Sequence, residues 1–558
     1  MKPISATPET IRKIFSGRYV IPDFQRPYSW EEEQCEKLWT DVVEFFENKD
    51  SEHQEQYFIG SIVVNQAENS PPDTWEVVDG QQRLTTLLLL IKALYSRAGT
   101  YTALEECLRI KNHRTGDLTN ELRVCSKVTL NDDKDHLERI ILQNEENFAQ
   151  ETKLFVNYRF LKEKIGEWLT ENDTSETLEK LIDTLLDSVV LLPIQCGDTD
   201  DALKLFEIIN DRGKPLSDPD IFKAKLYGST MDKGKQKEFI EEWNALKKYG
   251  EKQNEKHYEW LFRILMHVFR AEENIRSKEI GVRSFFTEKS KNRLSNSEKV
   301  MDSLKVLHAI DGWYGSDEIS GLWAILRDYP NQMWNFPLYV FLHKYGAIGP
   351  DTGEFELPTK MKKQFVVLLE ETVKYFYIKG IVHKSINPIK DTIYHVCADI
   401  ELEGDYLSRY TSNLKDDDYA IFSSRLEDKS LGRYVRGLVL LSAYLNPRQN
   451  KADFAKIVWG KCEIEHILPK KWNNYDGWTE ESWREKIDTL GNLAPLGKEL
   501  NIAAKNEFFD RKREIYQDSK IQDILDVAKE KDWTPKQVAK YQEVKMKRLL
   551  KWFGLPER

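Results

Sequence analysis

The sequence predicts an α/β region at the N-terminal end, a predominantly helical middle, and a small C-terminal unit built from strand, loop and basic helix. Three observations predict it. Over the first 228 residues, short apolar runs bounded by turn residues alternate with segments of helical period. From about Lys233 to Leu426 nearly every window is helical and rich in aromatics, as in "YEWLFRILMHVFRA" and "KQFVVLLEETVKYFYIKG". From Leu431 a mixed pattern returns, around "KCEIEHILPKKW" and "LGNLAPLGKELN". The expected division is 1–228, with a helical insertion at about 101–187, then 229–430, then 431–558.

The elements follow from local chemistry. In "IPDFQRPYSW", Ile21 to Trp30, Pro22 and Pro27 resist helix and keep the chain extended. Ser29 and Glu32 match a capping box, and Cys35, Leu38, Trp39, Val42 and Phe46 recur at helical spacing, so Trp30 to about Asn48 is a helix. Tyr57–Val64 and Thr74–Gly80 read as strands, and Gln82 to about Ser96 as a buried helix. Ala103–Leu186 reads as polar helix with charged loops, and Ser188–Cys196 as another strand. A helix to about Asn210 follows, then a turn at Asn210-Asp211-Arg212-Gly213, then a helix capped by Ser217.

Bulk properties narrow the function. No stretch approaches the roughly eighteen apolar residues of a membrane span, and the N-terminus lacks a signal-peptide pattern, so a cytoplasmic protein is expected. The six cysteines are scattered without a CxxC pair, so no cysteine zinc site is visible and reduced thiols are the simple reading. Net charge is −11, so any nucleic-acid contact has to be local. Lys498–Arg558 is such a place, with 15 Lys and Arg against 11 Asp and Glu.

Two stretches carry chemistry. Asp79-Gly80-Gln81-Gln82-Arg83 sits between a strand and a helix. A helix N-terminus offers free N–H groups, glycine admits close approach, and arginine forks onto phosphate. A plain turn, with Asp79 as cap, explains the same residues. No P-loop occurs. The second stretch is "EIEHILP", Glu463–Pro469. An acid beside a histidine in a short strand stopped by proline suits a metal nuclease, in which the histidine takes a proton from water. Asn492 is placed to hold the histidine loop and Asn501 to offer a neutral oxygen, while Arg511-Lys512-Arg513 forms a basic cluster for a DNA backbone. A packed structural histidine is the rival reading. Phe24, Gln25 and Arg26 line the first site or simply pack, and turn chemistry alone accounts for Asn210 and Gly213.

Taken together, "IPDFQRPYSW", "FIGSIVV", "VVDGQQRLTTL" and "FEIINDRGKPLSDPDIFKA" resemble the N-terminal domain of the GmrSD family of modification-dependent restriction endonucleases. "EIEHILPKKW", "LGNLAPLGKELN" and "FFDRKREIY" resemble its C-terminal domain. The resemblance implies a ParB/sulfiredoxin-like α/β fold and an HNH nuclease of ββα-metal type. It implies nucleotide binding by Asp79, Gly80, Gln81, Gln82 and Arg83, faced by Phe24, Gln25 and Arg26, with Asn210, Arg212 and Gly213 in a later turn motif. His466 matches the general base, Glu465 the acidic metal position, Asn492 the central asparagine and Asn501 the last, metal-binding position. Without zinc cysteines, packing by residues such as Trp472, Leu493 and Phe509 holds the finger.

The expected function is an antiviral endonuclease cutting double-stranded DNA with modified bases. Mg²⁺ or Mn²⁺ supports it, and a nucleoside triphosphate (GTP, CTP, UTP or ATP) regulates it and is turned over. A homodimer is compatible and no membrane is involved. The alternatives are a nuclease sensing another mark such as phosphorothioate, an abortive-infection nuclease on RNA, and a ParB-like nucleotide switch with an inactive nuclease domain.

Overall fold

The computed structural model describes residues 4–49, 55–66, 71, 73–99, 101–112, 114–128, 133–145, 151–172, 175–197, 217–230, 235–253, 256–288, 290–383, 385, 387–427 and 431–556. The architecture is mixed α/β with helix in the majority. The chain forms two compact units, Met1–Lys248 and Tyr249–Arg558. The first unit therefore reaches twenty residues beyond the sequence boundary at 228. The second encloses both the helical stretch and the C-terminal motifs.

The first unit is built on a 7-stranded sheet. Its strands are β1 (Ser5–Ala6), β2 (Glu9–Thr10), β3 (Arg18–Ile21), β4 (Tyr57–Gln66), β5 (Thr74–Asp79), β6 (Val124–Ser126) and β7 (Val189–Cys196). Their order is β1-β7-β4-β5-β3-β6, with β2 also on β7. β3 runs parallel to both β5 and β6, so three carboxyl ends open on one edge of the sheet. In open α/β sheets that edge is where ligands bind.

Helix α1 (Glu32–Asn48) and helix α2 (Gln81–Ala98) fall where the sequence puts them. The run Leu87–Leu90 is wholly buried, because α2 is enclosed on nearly every side, with α3 (Lys153–Glu171) against it. The Ser29–Glu32 capping box does not form. Helix α1 starts at Glu32 behind Glu31, whose N–H donates to Gln34 Oε1 at 2.8 Å. The Ser29 N–H is taken instead by Gln82 Oε1 at 2.7 Å.

The 101–187 insertion is less uniformly helical than its polar pattern suggests. Among its described residues a small ribbon pairs Arg109–Lys111 with Leu118–Leu122, and β6 joins the main sheet. Strands of three to five residues are too short to show a period of two in sequence. Helix α4 (Asp218–Thr230) follows Ser217, as the sequence expects.

The second unit begins as packed helices, among them His257–Glu272, Asn335–Tyr345, Thr359–His383 and Asn387–Glu401. The aromatics noted in sequence fill this core. His267, for example, lies flat on Phe336 with ring centres 3.6 Å apart. Near the end, β8 (Cys462–His466) pairs antiparallel with β9 (Leu493–Gly497), and the helix Lys498–Ala504 follows directly. Helix α5 (Phe509–Tyr516) and helix α6 (Pro535–Trp552) close over them. All six cysteines are free thiols. No helix among the described residues is long and apolar enough to cross a membrane.

Candidate functional site

The β5–α2 junction is shaped by one glycine. Gly80 has φ of +87°, and a Cβ there would lie 2.5 Å from the Ile62 side chain. Only glycine fits a left-handed turn this close to a neighbour. Asp79 does not cap α2 with its side chain; Gly80 occupies the cap position. Burial raises the pKa of Asp79, and the Gly80 N–H, Arg83 and Arg26 pull it back down.

The amides of this motif hold protein rather than stand open. Gln82 Oε1 accepts from the backbone N–H of Ser29 at 2.7 Å and of Trp30 at 3.2 Å, and its Nε2 donates to Pro27 O at 3.2 Å. Gln81 Nε2 donates to Arg26 O at 3.2 Å, and Gln25 Nε2 donates to Val78 O at 3.0 Å. Three glutamines thus staple the proline-broken segment Phe24–Trp30 across the end of the sheet. Arg83 is also engaged. It donates to Ser61 O at 2.7 Å and fills the space beside Gly60, where a Cβ would meet the guanidinium at 2.8 Å. Arg26 lines a cavity of about 10 Å³, room for about one water, together with Gln81, Gln82, Thr85, Ser126 and Asp133. Phe24 packs on Tyr227, and Lys223 Nζ donates to Asp23 O at 3.3 Å. Asn210, Arg212 and Gly213 lie outside the described residues.

Sequence reading missed four supports here. Asp133 accepts the Tyr28 N–H at 2.7 Å, and the Tyr28 hydroxyl meets Thr86 at 2.7 Å. Asn157 donates to that hydroxyl at 3.0 Å and to Trp30 O at 2.9 Å. Asp133 and Asn157 come from the insertion, far away in sequence. Neither carries a signal in the sequence that points to this segment.

The second constellation surrounds β8. Adjacent strand residues point to opposite faces, so Glu465 and His466 diverge. His466 is mostly buried, and its Nε2 lies 3.1 Å from Asp488 Oδ1, a carboxylate that is itself 75% exposed. Burial lowers the His466 pKa, while Asp488 acts to raise it. Asp488 is a partner that sequence reading did not name, since a lone Asp in a polar loop carries no signal.

Asn492 is completely buried and uses both ends of its amide. Its Oδ1 accepts from Leu468 N at 2.8 Å and Trp533 Nε1 at 3.1 Å. Its Nδ2 donates to Ile487 O at 2.9 Å and Leu468 O at 3.3 Å. It therefore fixes the loop after His466 and touches nothing outside the protein. Helix α6 braces the same segment. Gln542 Oε1 accepts the Gly491 N–H at 2.7 Å, and Lys545 donates to the carbonyls of Leu490 and Leu493. Of the three packing residues named from sequence, Phe509 stacks on Trp533 and Leu493 is buried, while Trp472 packs on Trp483.

On the inner face, Glu465 accepts from Lys512 Nζ at 2.6 Å, Tyr516 Oη at 2.6 Å and Asn501 Nδ2 at 2.8 Å. Lys512 Nζ also donates to His466 O at 2.7 Å. This corrects the reading of Lys512 as a DNA-backbone contact, because its side chain is 1% exposed. Phe509, Lys512 and Tyr516 form the buried stripe of α5 at helical spacing, which leaves Arg511 exposed and Arg513 partly exposed on the flanks. Among the described residues no group of three or more His, Cys, Asp or Glu could hold a metal ion. Glu465 and Asn501 do meet, but an ammonium already sits on the carboxylate, so the pair as arranged does not fit a divalent cation.

Both constellations fall inside matched family models. Residues 9–227 match the N-terminal domain of GmrSD restriction endonucleases, and residues 413–547 match the C-terminal domain. No curated protein matches the sequence.

Proposed function

Because the chain belongs to the GmrSD restriction endonuclease family, whose members are nucleases of phage defence, we propose that His466 is the base of an HNH-type cutting centre. The proposed substrate is DNA carrying modified bases, and a nucleoside triphosphate bound at the β5–α2 junction regulates cutting. The observation that carries the nuclease reading is the His466–Asp488 contact at the end of a strand whose loop is pinned by Asn492.

The chemistry follows from that contact. An ionised Asp488 only accepts, so it places the imidazole proton on Nε2 and leaves Nδ1 with a lone pair. Nδ1 then takes the proton of a water attacking the phosphate. Burial keeps the ring neutral at neutral pH, the form a base requires. The proposal includes Mg²⁺ or Mn²⁺ as charge partner of the scissile phosphate, and Glu465 as it stands does not fit that ion. For the nucleotide, Arg26 and the backbone N–H groups at the α2 N-terminus would supply phosphate partners, once the cavity of about 10 Å³ that Arg26 lines has widened.

A digestion panel tests the reading. Unmodified, methylated, hydroxymethylated, glucosylated and phosphorothioated DNA are incubated with Mg²⁺ or Mn²⁺, with and without each triphosphate. Cutting confined to base-modified DNA and altered by a triphosphate is expected. Equal cutting of unmodified DNA, or none of any substrate, overturns it.

A further inference from the structure

We propose that Lys512, rather than a divalent ion, is the cation of Glu465, and that these two residues form a positioning pair for the strand that carries His466. The proposal rests on the nuclease reading above and reassigns the acidic position within it. Three donors converge on one carboxylate whose side chain is 5% exposed. Two of them, Lys512 and Tyr516, stand four residues apart on one face of α5 and share Oε1. The third, the Asn501 amide N–H, covers Oε2. A Mg²⁺ ion at that carboxylate would sit about 2.0–2.1 Å from an oxygen. It would face an ammonium already 2.6 Å from Oε1 with no water between them. Asn501 turns its N–H side to the acid, so it presents no oxygen there.

The pair also has something to position. Lys512 Nζ bridges Glu465 Oε1 and the carbonyl of His466, so the charge that neutralises the acid also ties down the backbone of the residue bearing the base. β8 then has two anchors: Lys512 on the inner face and Asn492 on the loop that follows. His466 is left to face Asp488 on the other side.

The experiment uses the full chain with Mn²⁺ as probe, counted by electron paramagnetic resonance. DNA affinity, kcat and the ¹³C resonance of the His466 ring are measured on the same samples. The variants are Glu465→Gln, Lys512→Met and the double substitution, which removes both charges and so leaves no lone buried ion. Both single variants should melt lower than the parent and the double variant should recover part of the loss. Folded Glu465→Gln and the double variant should keep Mn²⁺ affinity within about twofold, whereas losing even an outer partner of a bound metal costs about tenfold or more. Lys512→Met should leave DNA affinity unchanged, shift the His466 resonance and lower kcat by about tenfold or more, as displaced catalytic groups do.

A tenfold loss of Mn²⁺ affinity in the double variant places Glu465 at a metal and overturns the inference. A weakened DNA affinity with unchanged kcat in Lys512→Met returns Lys512 to a phosphate contact and overturns it equally. A parent chain that takes up no Mn²⁺ leaves Glu465 without a metal and supports the inference. The nuclease reading is judged separately, by whether His466→Ala abolishes cutting.

Discussion

Replacing Asn492 by alanine removes four hydrogen bonds at one stroke, and the structure says where the damage appears. The Leu468 N–H and the Trp533 indole N–H both donate to Asn492 Oδ1. Both lie in a buried setting where water cannot replace the lost oxygen. A buried donor left without partner costs about 1–3 kcal/mol, so the two together cost about 2–6 kcal/mol. The carbonyls of Leu468 and Ile487 lose donors as well, which places the sum toward the upper half. With 1.36 kcal/mol per factor of ten, the Leu468 amide alone should exchange about 5- to 150-fold faster.

Hydrogen–deuterium exchange with mass spectrometry on peptides covering 466–470 reads this directly and avoids treating a two-unit chain as a single unfolding transition. Exchange at the β5–α2 peptides is the internal control and should not change. Cutting should fall with the loop, because the loop continues from His466. Unchanged exchange at Leu468, or full cutting by the Asn492→Ala protein, would show that the loop is held by something else and refute the reasoning.

Further outcomes are expected. His466→Ala should lower cutting by about 10²–10⁴, the usual worth of a general base, and leave triphosphate turnover intact. Because burial lowers the His466 pKa, cutting should persist below pH 6.5, the ordinary histidine value, and fall only at more acid pH, where Nδ1 protonates. The sign for stability agrees: the unfolded chain takes up this proton first, so stability is lost as pH falls from 6.5 through the lower folded value. A cutting rate already lost at pH 6.5 would contradict the lowered His466 pKa. Gly80→Ala forces a Cβ against Ile62 at a left-handed φ and should cost at least about 1–3 kcal/mol, read as a lower melting temperature. Arg26→Ala should weaken triphosphate binding by about 1.5–3 kcal/mol in calorimetry, the scale of a charged hydrogen bond. Arg83→Ala should chiefly loosen the Gly60–Ser61 strand region. The reverse ranking would restore Arg83 as the phosphate fork.

The sequence by itself determined the longer elements and the family. Proline placement kept Ile21–Trp30 out of helix, although a turn at Asp23–Phe24, closed by Gln25 N on Pro22 O at 3.1 Å, interrupts the expected extended chain, and period-3.6 apolar residues located α1 and α2. Short apolar runs located β4, β5 and β7, and the quoted motifs pointed to the two GmrSD domains that the family models match. These are properties of consecutive residues, governed by local dihedral preferences and by which side of an element must leave water. What the side chains of the motifs do was decided only by tertiary structure. Gln82 and Gln81 serve as staples because Pro27 leaves neighbouring backbone groups without strand or helix partners. Lys512 belongs to Glu465 rather than to a DNA phosphate because Phe509 and Tyr516 turn that stripe of α5 inward. Asp488 faces His466 across 22 residues of chain, and Asp133 reaches Tyr28 across 105. Charge and hydrogen bonding act through space over a few ångströms, whatever the separation along the chain. A motif can therefore announce which chemistry is present while its geometry waits for the fold.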